Sequence, residues 1–404
     1  MLFAIIGGGA SGFMAAVTAA ETFPGARVII FEKSREVLSK VRISGGGRCN
    51  VTHNPSKPAL FSKNYPRGSR FVKETLAQFD AHQTIQWFES RGVPLKTEPD
   101  GRVFPVSDNS GSIIYCLMEN ARNAGVEIRT STNITGLTPQ DEKLILHFQD
   151  GSTLAADRVV VATGGSPKLQ GLNWLMDLGH EAETPVPSLF TFNTPDNYLL
   201  PLTGVSVSKV TVRVANSSLQ SEGPILITHW GFSGPAILRL SAWGARELAE
   251  KNYQFQIRIN WTSNRNFDEV RQSLYDLKQT YPKQQLAAHP QYELPSRLWR
   301  AISENTGIQR DLKLADTPHK LLNKLAMQLT DGTFAVAGKT TFKEEFVTCG
   351  GIRLDQINPS TMESRKIKGL FFTGELLDVD GITGGFNFQH AWTSGYIAGK
   401  NLGN

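Results

Sequence analysis

The chain has 404 residues, of which 40% are hydrophobic and 20% charged, so it is long enough for two or three domains with their own cores. Its net charge of +5 permits an anionic partner, but the same charge could face an anionic cofactor, and no dense basic run is present. The cysteines (Cys49, Cys116 and Cys349) are scattered and no apolar run approaches the ~20 residues that span a bilayer, so we expect a cytoplasmic protein without a metal cluster, a redox dithiol or a membrane span.

The first expected element is a strand, a glycine turn and a helix at the start of the chain. An apolar strand leads into Gly-Gly-Gly-Ala-Ser-Gly, which contains a G-x-G-x-x-G pattern. In that pattern Gly7 allows a tight turn, Gly9 lets the backbone approach a pyrophosphate, and Gly12 lets the helix pack on the strand. Ala10 and Ser11 begin a helix whose positive N-terminus would face the phosphates.

An acidic residue follows at the spacing that a dinucleotide site requires. The apolar run over 28–31 ends at Glu32, twenty residues after Gly12, where a carboxylate would accept a hydrogen bond from a ribose hydroxyl. A glycine pattern alone could be an ordinary turn. With a preceding strand, a following helix and this acid, it indicates a dinucleotide site, to which we also assign Lys33.

The next elements alternate between helical and strand patterns. In chain order they are a glycine-rich loop over 44–50, a helix over 70–91, a hairpin turn at Asp100-Gly101, a helix over 111–124, and a meander of short strands over 126–150. A continuous apolar strand over 158–161 then leads to Ala162, Thr163 and Gly164. This pattern is typical of a buried parallel strand that ends at a cofactor.

The composition changes after residue 185. Residues 186–262 are strand-like, and the more polar residues 266–330 have a helical pattern with buried leucines at 274, 277, 294, 298, 321, 322 and 325. Another apolar strand then ends at Gly374-Glu375 and precedes a helix of small residues. We therefore expect one α/β domain with an insert: 1–185 as its first part, 186–265 as a β-rich domain, 266–330 as a helical subdomain, 331–345 as a return strand and 346–404 as its last part.

This order of elements is that of an FAD domain. The pyrophosphate would lie on the first helix, the ribityl chain against Gly374-Glu375, and the ring over a second helix N-terminus at Gly385, Phe386 and Asn387. Simple close packing is the alternative for these glycines. No second G-x-G-x-x-G follows a strand, so NAD(P)H would bind only transiently as the reductant. We expect non-covalent FAD, because no histidine or cysteine stands at an evident flavin-linking position.

Several segments identify a family resemblance. Residues 40–52 resemble the K-x-x-x-S-G-G-G-R-C-N-x-T signature of the BaiN/RdsA-like (YhiN-type) FAD-dependent oxidoreductases, also called aminoacetone-oxidase-family enzymes, and 101–107, 228–235, 347–351 and 374–381 match further motifs. The resemblance implies an α/β fold: a glutathione-reductase-type FAD-binding Rossmann domain with an inserted β-barrel-like domain and a helical subdomain. The expected cofactor site comprises Gly7, Gly9, Ala10, Ser11, Gly12, Glu32, Lys33, Arg42, Ser44, Gly45, Gly46, Asn50, Ile134, Ala162, Thr163, Gly164, Gly374, Glu375, Gly385, Phe386 and Asn387.

Two departures from the family pattern bear on the substrate. The segment after Gly164 is shorter than usual and lacks an aspartate, and His53 stands where an asparagine is common. Both changes are expected near the active cavity. The substrate could therefore differ from that of other members.

The resemblance implies hydride delivery to a polarised C=C bond, in a steroid enone or in a uridine of ribosomal RNA. Such a reaction needs a proton donor and a group that polarises the carbonyl. Arg48 could bind substrate or a flavin oxygen, or tie a backbone segment. Cys49 could donate a proton as a neutral thiol, or be a small packing residue. His229, in a loop over 228–235 that we expect to face the flavin, could be an acid or a structural group.

Three functional hypotheses remain open. The chain could be an NAD(P)H-driven reductase of a small molecule or of structured RNA, an oxygen-consuming amine oxidase, or a flavin-binding protein without turnover. The best candidate RNA-binding stretch is 65–73, where aromatic and basic residues interleave, although it could equally be a loop and a helix start. The residues do not specify the oligomeric state.

Overall fold

The computed structural model describes residues 1–340 and 347–403. They divide into two compact units, the first formed by 1–188 and 347–403 and the second by 189–340. Within these residues no helix is long and apolar enough to cross a membrane. The end of the expected return strand, 341–345, lies outside the described residues.

The strands and helices have the following bounds. The strands are β1 (Leu2–Ile6), β2 (Arg27–Phe31), β3 (Thr52–His53), β4 (Leu95–Thr97), β5 (Arg102–Pro105), β6 (Glu127–Arg129), β7 (Ile134–Gln140), β8 (Lys143–Phe148), β9 (Thr153–Ala156), β10 (Arg158–Val161), β11 (Ala182–Ser188), β12 (Thr191–Asn193), β13 (Ser206–Val214), β14 (Gln220–Thr228), β15 (Gly231–Ser233), β16 (Gln254–Asn260), β17 (Gly332–Ala337), β18 (Lys339–Thr340), β19 (Val347–Ile352) and β20 (Leu370–Phe372). The α-helices are α1 (Ala10–Thr22), α2 (Ser39–Gly47), α3 (Pro58–Phe61), α4 (Ser69–Thr75), α5 (Ala81–Glu89), α6 (Gly111–Asn123), α7 (Asn173–Met176), α8 (Pro235–Trp243), α9 (Ala245–Glu250), α10 (Phe267–Thr280), α11 (Ser296–Asn305), α12 (His319–Asp331) and α13 (Phe386–Asn401).

A five-stranded parallel sheet in the order β20-β10-β1-β2-β6 forms the centre of the first unit. Its central strands are buried on both faces, which explains why their sequences are continuous apolar runs rather than alternating ones. Ile6 is level with Val161, and Val161 with Phe372. The turns that follow β1, β10 and β20 therefore meet at one edge of the sheet.

The last helix of the first unit packs directly on the first helix. A Cβ added to Gly395 of α13 would lie 2.4 Å from the Ser11 carbonyl oxygen, and one added to Gly399 would lie 2.6 Å from that of Ala15. The two helices approach with backbone against backbone. Side chains larger than glycine at these positions would force them apart.

Smaller sheets complete the first unit. The expected meander is the antiparallel sheet β7-β8-β9, and the Asp100-Gly101 turn joins β4 to β5. The single helix predicted over 70–91 is wrong. Two helices, α4 and α5, replace it, because Asp80 and Gln83 form a reciprocal capping box that starts a new helix.

The second unit contains a seven-stranded sheet in the order β17-β16-β13-β14-β15-β12-β18. The two end strands, β17 and β18, are consecutive in the chain and separated only by Gly338. At one end β17 pairs with β16, and at the other β18 pairs with β12. The Gly338 nitrogen donates to the Tyr253 carbonyl (2.8 Å), and its carbonyl accepts from the Asn193 nitrogen (3.1 Å). One chain segment thus links the two edges of the sheet, and closure into the expected barrel-like insert stays a prediction.

Helices pack on this sheet and share its core. The leucines predicted to be buried in 266–330 are buried, except that Leu321 is only partly covered. The range 186–262, expected to be strand-like, contains strands but also two helices that were not predicted, α8 and α9. Short apolar runs do not distinguish a buried helix from a strand, and the helix start at Gly234 and Pro235 was the available signal.

Candidate active site

The glycines of the first turn have distinct structural roles. A Cβ on Gly7 would lie 2.4 Å from the Ala162 carbonyl oxygen, and one on Gly12 would lie 2.0 Å from that of Gly7. A Cβ on Gly9 would have no protein atom within 4 Å. Gly9 is also the N-cap of α1 and leaves the first turn without a side-chain cap. The turn therefore presents free helical N–H groups beside accessible space, as an anion site requires.

Glu32 is fixed beside this turn. One carboxylate oxygen accepts from the Gly8 nitrogen and the other from the Ser34 nitrogen and hydroxyl, each at 2.8 Å. The Glu32 carbonyl accepts from Thr132 (2.9 Å), which brings the start of β7, at Ile134, close to the acid. Lys33 is exposed. The structure thus assembles the acid, the glycine turn and the Ile134 segment in one place.

The turns after β10 and β20 flank the N-terminus of α1. Thr163 is exposed, and a Cβ on Gly164 would meet no protein atom within 4 Å. Gly374 has a positive φ of 67°, and a Cβ there would lie 2.6 Å from the Ser11 hydroxyl. The Gly374 nitrogen donates to Ser394 (2.9 Å). Ser11 of α1 and Gly374 of the last strand end are therefore neighbours, as a shared cofactor site demands.

Glu375 is held by two partners that the sequence does not reveal. One of its carboxylate oxygens accepts from the Thr348 nitrogen (2.8 Å), and the other pairs with the Lys40 ammonium (2.7 Å). Lys40 belongs to the signature segment over 40–52 but is not among the predicted site residues. The ion pair therefore joins α2 to the end of β20.

The N-terminus of α13, like that of α1, has no side-chain cap. Gly385 precedes it with φ 90° and provides no side-chain cap. In the amide orientation that satisfies both ends of Asn50, its oxygen accepts from the Gly385 nitrogen at 3.0 Å. The Asn387 side chain accepts from the Gly381 nitrogen (2.8 Å) and donates to its carbonyl (2.9 Å). Hydrogen bonds from Asn50 and Asn387 therefore hold both ends of the loop over 380–385.

His53 lies at this same loop. Its ring stacks on Phe386 with the ring centroids 4.7 Å apart, and its Nδ1 is 3.0 Å from the Gly384 carbonyl oxygen. Burial lowers the pKa of His53, with the Gly384 hydrogen bond opposing that shift. The departure from the family pattern at His53 thus falls beside the α13 N-terminus.

The glycine-rich segment interrupts α2. Ser44 is extended, and Gly45 and Gly46 have φ values of 58° and 69°, which l-amino acids with side chains rarely adopt. A Cβ on Gly46 would meet no protein atom within 4 Å. The Arg42 side chain is exposed, and its carbonyl accepts from Ser110 (2.7 Å). This segment is a left-handed glycine turn with open space beside Gly46. Its contact with a cofactor stays a prediction.

Arg48 is engaged within the protein. Its guanidinium lies 2.7 Å from Glu98, 3.5 Å from Asp108 and 3.9 Å from the centre of the Phe104 ring. Of the two alternatives for Arg48, these contacts favour the structural tie. A direct role in binding substrate or flavin stays a prediction.

Cys49 is fully buried with φ 61°. Burial raises the pKa of its thiol to about 12, with a hydrogen bond to Ser44 opposing that shift. The thiol therefore keeps its proton at neutral pH, and its burial agrees with the packing alternative. Proton donation by Cys49 is not tested by this arrangement.

His229 lies in the second unit, at the turn between β14 and β15. Its side chain is exposed, and its ring contacts that of Trp230 with centroids 4.0 Å apart. The structure thus makes His229 accessible. Its expected position near the flavin remains a prediction.

A buried ion pair that sequence reasoning missed lies behind the α13 loop. Asp380 is fully buried, and its carboxylate accepts from Arg67 Nε (2.5 Å), from Arg67 Nη2, and from the Ser188 hydroxyl (2.7 Å). Burial raises the pKa of Asp380, and the hydrogen bond from Arg67 opposes that shift. No local signal links these residues, since 313 positions separate Arg67 from Asp380.

Two more contacts complete what we call the clamp, formed by Asn64, Tyr65 and Arg67. The Asn64 carbonyl accepts from the Ile382 nitrogen (2.9 Å), and the Tyr65 hydroxyl donates to the Phe386 carbonyl (2.6 Å). The clamp holds the α13 loop at three points. Of the two alternatives for 65–73, the burial of Tyr65 and Phe71 favours a loop and a helix start over a platform of exposed aromatic rings.

Residues 2–401 match the family model described as HI0933-like protein Rossmann domain. The chain belongs to the HI0933-like family. It is 28% identical over 404 residues to a 3-dehydro-bile acid delta(4,6)-reductase of Clostridium scindens, with 98% of this chain and 97% of the relative covered. It is 30% identical over 410 residues to a ribosomal RNA dihydrouridine synthase of Haemophilus influenzae, with the same shares covered.

The fold of this HI0933-like protein also occurs in a solved dehydrogenase structure. A 3-ketosteroid-delta4-(5alpha)-dehydrogenase from Rhodococcus jostii matches with a TM-score of 0.52 and 15% identity, covering 100% of this chain and 96% of that one. The family resemblance and the predicted fold class are therefore confirmed, and the chain is an FAD-dependent oxidoreductase.

The residues of this HI0933-like protein fit FAD. The uncapped start of α1, the accessible space at Gly9 and the fixed Glu32 carboxylate suit the pyrophosphate and ribose. The uncapped start of α13 offers a second set of N–H groups in the same unit. Among residues 1–340 and 347–403, no group of three or more histidine, cysteine or acidic side chains could hold a metal ion.

Proposed function

We propose that this protein reduces a C=C bond conjugated to a carbonyl, with FAD as the bound cofactor and NAD(P)H as the transient reductant. The observation that carries the proposal is the full-length similarity to two relatives with different substrates and one shared chemistry. A 3-dehydro-4,6-diene and a uridine both present a C=C bond in conjugation with a C=O group. Either bond accepts a hydride at the carbon remote from the carbonyl.

The chain's own residues would bind the cofactor and orient its flavin ring. The α1 N-terminus and Glu32 would hold the pyrophosphate and ribose, and the loop held by the clamp would place the α13 N-terminus at the flavin. When bound, FAD supplies the hydride. We assign Arg48 to shaping the glycine-rich segment, because its guanidinium is already paired with Glu98.

The one proton that completes the reduction, beside the hydride, must come from an acid within reach of the substrate. His229 is the accessible candidate, and the Cys49 thiol is the buried one. We propose that His229 Nε2 or Nδ1 supplies the proton to the carbon next to the carbonyl. A His229→Gln variant should then retain flavin reduction by NAD(P)H and lose substrate turnover. The control is His289→Gln, which changes a partly buried histidine elsewhere in the second unit and should retain both.

We place this reaction in the cytoplasm, because Cys49, Cys116 and Cys349 are not joined by disulfides. The test is anaerobic. The holoprotein is mixed with NADH or NADPH and bleaching of the flavin is recorded. Reoxidation is then measured with a steroid dienone, with a uridine-containing ribosomal RNA transcript, and with air.

Reoxidation by either conjugated acceptor, faster than by air, is the expected result. Bleaching by a primary amine together with rapid reoxidation by oxygen alone would replace the proposal with an amine oxidase. A flavin that no donor bleaches would indicate a binding protein without turnover.

A further inference from the structure

The outer side of the clamp segment carries a concentration of positive charge. Residues 54–79 contain five cations and one acid, Glu74. Arg67 is used by Asp380, and the remaining four cations are exposed. We call these four residues the basic face: Lys57, Lys63, Arg70 and Lys73.

These cations belong to one compact segment. Helices α3 and α4 contact each other, and the Ser69 hydroxyl at the start of α4 donates to the Ser62 carbonyl just after α3 at 2.8 Å. Lys73 lies three residues beyond Arg70 on α4, on the same side of the helix. Lys57 immediately precedes α3 at the other end of this segment.

The charge of the basic face is not balanced by the protein. Glu74 reaches Arg70 at 3.5 Å in a pair whose Arg70 side chain is 94% exposed, so the pair is weak. Within the part of the chain that the structure describes, Lys57, Lys63 and Lys73 have no carboxylate at ion-pair distance. Such a face attracts a polyanion, and the attraction weakens with salt.

The aromatic residues of the segment point away from that ligand. Phe61, Tyr65, Phe71 and Phe79 are each at most 8% exposed. They anchor the segment in the core, and none is available to stack on a base. A ligand on the basic face must therefore be recognised through its charge, as a phosphate backbone is, rather than through its bases.

The basic face belongs to the same segment as the clamp. Asn64, Tyr65 and Arg67 of that segment hold the loop at the α13 N-terminus. We propose that the basic face binds the phosphate backbone of a structured RNA substrate and so seats that substrate beside the flavin site. The inference rests on the proposed reduction of uridine and adds to it the surface that binds the RNA.

The test uses the FAD-loaded full chain carrying Lys63→Glu and Lys73→Glu. Binding to a structured ribosomal RNA transcript is measured at several salt concentrations. We expect at least a tenfold loss of affinity at low salt, and a slope of log K against log salt that is shallower by about two. Flavin reduction by NAD(P)H and reoxidation by a steroid dienone should be unchanged, which shows that the variant is folded.

A matched control reverses two exposed lysines of the second unit, Lys283→Glu and Lys313→Glu. It should bind the transcript like the wild type. An equal loss of affinity in the control and the basic-face variant would overturn the inference, because net charge alone would then explain it. An unchanged salt slope in the basic-face variant would also overturn it.

The remaining outcomes separate the surface from the reaction. If the wild type binds no structured RNA but a dienone reoxidises its flavin, the basic face is wrong and the reductase proposal stands. If RNA binds through the basic face and neither acceptor reoxidises the flavin, the reductase proposal fails and the surface stands. The inference would also be refuted if the protein binds anionic lipid vesicles through the basic face while its RNA binding is unaffected by the variant.

Discussion

Replacing Asp380 by alanine should destabilise the first unit far more than the loss of an ordinary ion pair. Asp380 is fully buried and the Arg67 side chain is only 14% exposed, so the guanidinium would lose its carboxylate partner in a place with little water. Removing one partner of such a pair costs about 3–5 kcal/mol. Typical unfolding free energies are about 5–15 kcal/mol, so this is a large share of the total.

An exposed ion pair provides the matched control. Arg258 and Asp331 are 3.3 Å apart with side chains 51% and 47% exposed, so Asp331→Ala should cost at most about 1 kcal/mol. Both variants are unfolded in urea with excess FAD present. The loss of flavin binding and the loss of far-ultraviolet circular dichroism report the midpoint.

A double variant tests the physical reason. If the cost of Asp380→Ala comes from an unpaired buried charge, Arg67→Met combined with Asp380→Leu should recover most of the lost stability. A cost for Asp380→Ala no greater than that for Asp331→Ala would refute the reasoning. So would a double variant that is as unstable as the sum of its two single variants.

Four further outcomes are expected. Gly9→Val should fold but fail to retain FAD in a titration, because its Cβ meets no protein atom yet would block the pyrophosphate, whereas Gly12→Ala should unfold, with its Cβ 2.0 Å from the Gly7 oxygen. Burial lowers the pKa of His390 to about 4, so the unfolded state binds the extra proton between pH 6.5 and 4; stability should fall by about 3 kcal/mol as the pH drops through that range, and His390→Gln should fall less. The Cys49 thiol, buried with a raised pKa, should react with a disulfide reagent only after unfolding; labelling of the folded protein at Cys49 would contradict this. Denaturation should release all the FAD into the filtrate, and colour retained by the chain would show a covalent link.

Local features of the fold were predictable from the sequence because their causes are local. The first turn needs Gly7, Gly9 and Gly12 at fixed positions, and the structure gives each a separate steric reason. Continuous apolar runs likewise identified the parallel strands, since burial on both faces removes the usual alternation. The helix over 70–91 failed for a local reason too, because the capping box at Asp80 outweighed a continuous apolar spacing.

The candidate site was less predictable where it depends on distant residues. Nothing near Arg67 in the sequence indicates a partner at Asp380, and nothing near Lys40 indicates Glu375. The stretch 65–73 shows the same effect. Its pattern of aromatic and basic residues is real, but only the fold determines that the rings face the core and the free cations face water.

The contact between α1 and α13 constrains the order in which the protein can fold on the ribosome. Residues 11–20 of α1 are buried, and Gly395 and Gly399 of α13 pack against it. The ribosome makes α13 only after the whole of 189–340, so a nascent chain carries an uncovered α1 while the second unit is synthesised and folds. During that interval the side of α1 that α13 will cover is exposed, and chaperones that recognise apolar surface can bind there before FAD does.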